Sequence, residues 1–253
     1  MSRKIMPLGQ LSFDIEAHLR PIGEFYICTD FKEEVVRPPV VMIGENIYYR
    51  FMHFLYLPQP PESLNPEKVI EICDLRLEYL NKLVNYEHNS HIVAAIANYV
   101  TSIFPNINSN ADKVRTLDFG CGSGLSSQLI LKHLPKLNMV GVDISEKAVR
   151  RSNEQDLTAI LTYPDKPLPF EAASFDLIFA IFVMHFSIDM ATLAELSRVL
   201  RPSGKFVFNL YQRDFDGVEQ QLIEAGFRTV EVVNDLCETE SNHKIVSCSI
   251  LPV

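Results

Sequence analysis

Strand-like and helix-like hydrophobic patterns take turns along the chain from about residue 111 to its end. Residues 115–119 read as a strand, and Leu125, Leu129, Ile130 and Leu134 then recur at helical spacing. Residues 138–142 read as a strand again, and Ser145 stands where it can cap a helix beginning Glu146-Lys147-Ala148. A short strand is predicted over 157–161. Residues 175–181 read as a strand that is apolar at every position but Asp176, as suits the buried centre of a parallel sheet. Met190, Leu193, Ala194 and Ser197 return to helical spacing and end at Pro202-Ser203-Gly204, a stop signal. A strand over 205–210 follows, then a helix marked by Phe215, Val218 and Leu222 and closed by Gly226. Residues 229–233 and 244–251 supply two final strands. The pattern predicts an α/β fold, a doubly wound and mostly parallel seven-stranded sheet ending in an antiparallel hairpin.

The first 110 residues read differently, as an N-terminal helical and β appendage. Asn65-Pro66-Glu67 is a helix start, with a capping Asn, Pro at the first helical position and an acid in the first turn. That helix is expected to run to about Val84, and a second over 91–104 to end at Pro105. Residues 24–28, 40–43 and 47–57 are rich in β-branched and aromatic residues, with Gly44-Glu45-Asn46 as a turn, and predict a small hairpin or meander. The polar stretch 106–110 is the expected joint between residues 1–110 and a core over 111–253.

Apolar residues make up 47% of the chain and charged residues 22%, the balance of a folded globular protein. A net charge of −9 argues against a nucleic-acid backbone as partner. Cysteines 28, 73, 121, 237 and 248 fall in no metal-ligand spacing, so no metal site is expected and reduced thiols are. The start of the chain lacks the apolar core of a signal peptide, and no window approaches about 18 uninterrupted apolar residues. A cytoplasmic protein without membrane contact is the expectation.

The chemistry concentrates at Thr116-Leu-Asp-Phe-Gly-Cys-Gly-Ser-Gly124. An apolar strand ends in an acid, and Gly120, Gly122 and Gly124 follow at alternate positions, which lets backbone amides come close to a ligand. A second apolar run ends at Asp143, nineteen residues past the last glycine. Together these are the marks of a βαβ unit that holds a nucleoside, with the acid on its ribose hydroxyls.

From residue 111 onward the chain resembles a class I S-adenosylmethionine-dependent methyltransferase of the small-molecule type, a Rossmann-like fold. Four places carry the resemblance: Leu117–Gly124; Gly141-Val-Asp-Ile-Ser145; Leu168-Pro-Phe…Ser174-Phe-Asp-Leu-Ile178; and Leu200-Arg-Pro-Ser-Gly-Lys-Phe-Val-Phe208. The resemblance implies S-adenosylmethionine as cofactor. Gly120, Gly122 and Gly124 would approach its methionine part, and Asp143 would accept both ribose hydroxyls, with Ile144 against the adenine. Asp118 would orient the loop or receive the cofactor's amino group. Asp165 matches the family's acid for the adenine amine, in a segment shorter than is usual, and Thr162 and Tyr163 are the alternatives there.

Methyl transfer from a sulfonium is an in-line displacement, and a base is needed only when the acceptor must shed a proton. His185, after the fourth predicted strand, is the candidate base or acceptor-positioning group; a histidine that only packs is the plainer reading. Only Tyr211-Gln-Arg-Asp214 separates the fifth strand from the next helix, which leaves no room for a lid there. The lid is therefore expected from residues 1–110, where Tyr26, Tyr48, Tyr49, Phe51, His53, Phe54 and Tyr56 could wall a pocket, form an ordinary core or make a homodimer contact. The predicted activity is methyl transfer to an oxygen or nitrogen of a small organic acceptor, in secondary metabolism. The alternative is a protein that binds the cofactor without transferring its methyl. A nicotinamide oxidoreductase is disfavoured by the Gly-x-Gly-x-Gly spacing. A protein or RNA methyltransferase is disfavoured because no Asn-Pro-Pro-Tyr-like tetrapeptide follows the fourth strand.

Overall fold

A computed structural model describes residues 15–250 apart from 30–37, 52–54, 80–85, 106, 108–113, 165, 212 and 235–242. The described residues fall into two compact units. One holds those up to Asn65 together with Tyr79; the other holds Pro66–Glu78 and the described residues from 86 onward.

The larger unit is built on a seven-stranded sheet. Its strands are β6 (Val114–Phe119), β7 (Leu137–Asp143), β8 (Ala159–Leu161), β9 (Phe175–Ala180), β10 (Leu200–Tyr211), β11 (Phe227–Asn234) and β12 (His243–Ile250), in the spatial order β11-β12-β10-β9-β6-β7-β8. The pairings from β10 through β8 are parallel, and β12 runs antiparallel between β10 and β11. This is the α/β Rossmann-like architecture that the sequence predicts. The strand order reverses between β9 and β6, which places a crevice at the carboxyl ends of the central strands.

Strand periodicity divides the core into two layers. Ile178, Ala180, Phe206, Phe208 and Val246 face one way, onto α6 (Met190–Val199) and α7 (Phe215–Glu224) through Leu193, Leu196, Val218 and Leu222. Leu177, Phe179, Val207 and Ile245 face the other way, onto α3 (Tyr86–Ile103) and α4 (Leu125–His133). The apolar run Leu177–Ala180 in β9 is the consequence: a central strand covered on both faces needs apolar residues on both. β10 starts earlier than the predicted 205, at Leu200, with a register shift against β9 between Leu200 and Lys205. Gly204 is required there, since a Cβ would meet Leu200 Cδ1 at 2.6 Å and the Asp176 carbonyl at 3.0 Å.

The expected division near residue 111 is corrected by α2 (Pro66–Tyr79) and α3. Residues of α2 up to Glu78 and all of α3 belong to the larger unit. The reason lies on α3, whose Ile92, Val93, Ile96, Ala97 and Val100 are buried in one layer with Ile130 and Leu134 of α4. A helix carrying such an apolar stripe is part of the core it covers. The predicted helix extension to Val84 and most of the 106–110 joint lie outside the described residues.

The smaller unit begins with a short helix, α1 (Ile15–His18), and continues as a five-stranded antiparallel sheet. Its strands are β1 (Leu19–Ile22), β2 (Phe25–Cys28), β3 (Val40–Ile43), β4 (Asn46–Phe51) and β5 (Leu55–Leu57), in the order β1-β2-β5-β4-β3. The sequence predicts a smaller hairpin or meander. Tyr56 is fully buried, its hydroxyl donating to the Pro38 carbonyl at 3.1 Å, and Phe51 is also buried. These two aromatics are sheet core. Tyr26 and Tyr48 are half-buried and meet edge to face at 4.9 Å between centroids. His53 and Phe54 lie outside the described residues.

Candidate active site

β6 and β7 run side by side, and the loop leaving β6 folds over the end of β7. The N–H groups of Gly120 and Cys121 both donate to the Val142 carbonyl, at 2.8 and 3.0 Å, and Gly124 N–H closes the turn on the Cys121 carbonyl at 3.0 Å. Gly120, Gly122 and Gly124 have φ of +71°, +56° and +82°, a region that L side chains rarely adopt. They differ in what surrounds them. A Cβ on Gly120 would strike Val183 Cγ2 at 2.5 Å, and one on Gly124 would strike Leu157 Cδ1 at 2.2 Å. A Cβ on Gly122 would meet nothing within 4 Å. Two of the glycines allow close packing of the loop; the third leaves its backbone open to a ligand.

Asp143 ends β7, and each of its oxygens accepts a backbone N–H at 2.8 Å: Oδ2 from Gly122 and Oδ1 from Ser145. The carboxylate thus joins the open glycine to the start of α5 (Glu146–Asn153). A carboxylate has about four in-plane acceptor positions, so these bonds do not exhaust its capacity. Burial raises its pKa above the usual carboxylate range, and the N–H groups of Ser145, Gly122 and Ile144 oppose that rise. Ile144 beside it is half-buried.

Asp118 is buried on β6 and accepts a short hydrogen bond from Ser127 Oγ on α4. Burial pushes it up to about 7, against the pull of Ser127 and with repulsion from Asp143 adding to the rise. The geometry makes Asp118 a brace between the strand end and the helix behind the loop. Cys121 packs with Val149 and Ala159, with its Sγ 2.6 Å from where a Cβ on Gly141 would stand. Its thiol is pushed far up by burial and by the charges of Asp118 and Asp143, so it is filler.

Helix α2 reaches the same end of the sheet. The single hydroxyl of Ser145 accepts from Ala148 N–H at 3.1 Å, capping α5, and donates to Asp74 Oδ1 at 2.6 Å. Lys147 lies 3.3 Å from Asp74 and 3.6 Å from Glu78, and Arg151 donates to the Leu77 carbonyl at 3.1 Å. The Ser145 cap is legible in the sequence; Asp74, 71 residues away, is not. Asp165 lies outside the described residues. Near it, buried Thr162 donates its N–H to the Asp143 carbonyl at 2.9 Å, and Tyr163 is 55% exposed at the carboxyl end of β8.

His185 is half-buried in the loop after β9, its ring tilted against Phe186 at 4.4 Å. Two side chains that sequence reasoning missed hold this loop: Asn209 and Arg213. Asn209 Oδ1 accepts the Phe182 N–H at 2.7 Å, and Arg213 donates to the carbonyls of Met184 and Phe186 at 2.9 and 2.5 Å. Other motif residues serve the frame. Asp176 pairs with Arg201 and accepts the Arg115 N–H at 3.0 Å. Glu195 and Arg198 on α6 grip the segment 168–170 through Leu168 N–H and the Phe170 carbonyl. No cluster of metal-ligating side chains occurs among the described residues, and no helix among them is long and apolar enough to cross a membrane.

A Rossmann-like sheet with a glycine loop and an acid at the ends of adjacent central strands is the arrangement found in the core of class I S-adenosylmethionine-dependent methyltransferases. Residues 117–208 match the family described as a methyltransferase domain. The chain is 28% identical over 135 residues to a malonyl-[acyl-carrier protein] O-methyltransferase of Herminiimonas arsenicoxydans, covering 53% of this chain and 50% of the relative. It is 34% identical over 113 residues to a trans-aconitate 2-methyltransferase of Azoarcus sp. (strain BH72), covering 44% of each. The chain therefore spans half or less of the length of these curated relatives. In fold it is similar to a chain from a complex that contains the Haloferax volcanii Trm112 methyltransferase activator, at a TM-score of 0.56 and 16% identity, over 72% of this chain and 98% of that one.

Proposed function

We propose that this protein transfers the methyl group of S-adenosylmethionine to an oxygen or nitrogen of a small organic acceptor. The observation that carries this reading is the pairing of Gly122, the loop glycine with open space before it, with the Asp143 carboxylate. Backbone without a side chain beside a fixed carboxylate suits a nucleoside whose ribose diol lies on the acid and whose tail passes over the glycine. The residues fit the cofactor electrostatically as well. Asp143 and Asp74, both bonded to Ser145, place acidic groups at this end of the sheet, which favours a sulfonium and an α-amino group over the diphosphate of a nicotinamide dinucleotide.

When bound, S-adenosylmethionine supplies an already activated methyl group. Asp143 would hold the ribose, with Ile144 against the adenine and Asp165 or Thr162 at its amine. Gly120 and Gly124 keep the loop tight while Gly122 leaves room for the methionine part. Asp118 keeps α4 in place behind the loop. His185 would orient the acceptor, or take its proton where the acceptor is a hydroxyl or an ammonium. An oxygen nucleophile is the first to test, because the Herminiimonas relative is an O-methyltransferase. The cytoplasm, secondary metabolism, a pocket wall from residues 1–65 and homodimerisation through that segment belong to the same reading.

The test is calorimetric titration with S-adenosylmethionine, its demethylated product and NAD in parallel, followed by transfer of radiolabelled methyl into a panel of carboxylic acids, phenols and amines. Binding of both sulfur compounds but not NAD, with label in one acceptor class, is the expected result. Binding without transfer to any acceptor would favour a non-methylating cofactor-binding protein, and NAD binding alone would sink the reading.

A further inference from the structure

We infer that Asn209 and Arg213, at the end of β10, are positioning residues that fix the loop 182–186 in one strained conformation and thereby set the orientation of His185. The inference rests on the methyltransferase reading of the site, with His185 on the acceptor side.

Phe182 has φ +61°, in the left-handed region that a bulky side chain avoids. Its N–H is held by Asn209 Oδ1 at 2.7 Å. Asn209 is fully buried on a strand whose neighbours Phe206, Val207, Phe208 and Leu210 are all buried and apolar. An amide there carries a desolvation penalty that an aliphatic residue would not, unless its hydrogen bonds serve a purpose. Its other end is also engaged: Nδ2 stands 3.0 Å from His243 Nδ1. Because the Phe182 N–H claims the amide oxygen, the amide nitrogen must face His243, and Nδ1 must accept. His243 is therefore the neutral tautomer with its proton on Nε2. Its ring is stacked by Tyr211 at 4.5 Å and meets Phe182 edge-on at 5.9 Å. A chain of side chains thus runs from β12 through β10 into the loop.

Arg213 holds the loop's other end through the Met184 and Phe186 carbonyls, and it touches Gln221 Oε1 of α7 at 3.4 Å. Between these anchors Val183 fills the space left by Gly120. Asn209 and Arg213 thus tie Phe182, Met184 and Phe186, the Phe186 N–H also donates to the Val183 carbonyl at 3.0 Å, Val183 is wedged against the glycine loop, and His185 sits among these anchors. Strain held by surrounding structure in this way is typical of a site whose geometry matters.

Asn209→Ala removes the Phe182 anchor, and Arg213→Lys replaces a fork that spans two carbonyls with a single ammonium. Asn209→Leu, close in volume and without an acceptor for the Phe182 N–H, is the second variant should Asn209→Ala fold poorly. In 15N-labelled protein, His243 Nδ1 is expected to give the signature of an unprotonated ring nitrogen, and the amide resonances of residues 182–186 to shift in each variant while those of β6 and β7 stay. With the acceptor found by the label screen, each variant should bind S-adenosylmethionine as wild type does and lose about 10–100-fold in kcat. The double variant with His185→Ala should be no slower than His185→Ala alone. Additive losses, unmoved 182–186 resonances or a protonated Nδ1 would overturn the inference. Failure of the wild type to bind the cofactor would instead overturn the reading of the site, and the resonances would still judge the anchoring of the loop.

Discussion

At the scale of single residues, Asp143 carries the most. It holds Gly122 N–H and Ser145 N–H at once and, in the proposed complex, the ribose diol. Asp143→Ala is expected to weaken S-adenosylmethionine binding by roughly 2–4 kcal/mol, about 30- to 1,000-fold, measured by calorimetry on folded protein. Asp143→Asn should fall between, since an amide has one oxygen where two N–H groups now find one each. The glycines separate by surroundings. Gly124→Ala drives a methyl into Leu157 and Ser152 and should lower the melting temperature. Gly122→Ala meets open space, so it should fold with only the left-handed backbone cost of about 1–2 kcal/mol while losing cofactor affinity. Asp118 gives a pH signature. Burial lifts it from 3.8 to about 7, so between those values the folded chain keeps a proton that the unfolded chain has released. The folded state binds more protons in that window, and Asp118's contribution to stability therefore falls as pH rises from about 4 to about 7, by about 4 kcal/mol at most. Asp118→Asn still accepts from Ser127 and removes the titration. Urea unfolding of both proteins at about pH 5 and about pH 7.5 should show the smaller decline in the variant; equal declines would assign the effect elsewhere.

At the scale of elements, the anchor of α2 on α5 rests on one hydroxyl. Ser145→Ala removes the cap to Ala148 and the bond to Asp74 together, and should cost about 1–3 kcal/mol in urea unfolding. Asp74→Asn keeps an acceptor for Ser145 and gives up only the pairing with exposed Lys147, so it should be close to neutral. What the sequence made legible here follows from range. Ser145 caps three residues ahead, and the Gly120–Gly124 spacing declares a tight loop, because both are local. The near-continuous apolar runs of β9 and β10 declare a two-sided core for the same reason. Asp74, Asn209 and Arg213 left no such trace: their partners are 71, 27 and 27 to 29 residues away, and only the packed sheet brings them together. Helix α3 was legible as a helix but not as core. Its stripe of Ile92, Ile96 and Val100 states that it buries a face, not which unit it covers.

At the scale of the whole molecule, the two units divide the proposed work. The larger one contains the complete sheet, the glycine loop, Asp118, Asp143, helix α2 with Asp74, and the loop bearing His185. The described residues of its two core layers, from Ile92 onward, cover both faces of that sheet. The smaller unit has its own sheet and its own buried cluster around Leu19, Cys28, Val41 and Tyr56. Every residue assigned to the cofactor lies in the first unit, and the aromatic residues proposed for the acceptor lie in the second. A chain shortened to begin at Leu64 should therefore fold, as domains with their own core do, and bind S-adenosylmethionine as the full chain does. Methyl transfer to the acceptor should be lost. Calorimetry and the label-transfer assay on the shortened chain check the two halves separately. Loss of cofactor binding in a folded shortened chain would mean that residues before Leu64 complete the cofactor site itself. Retained transfer would remove them from the acceptor site and leave the 182–186 loop to define it alone.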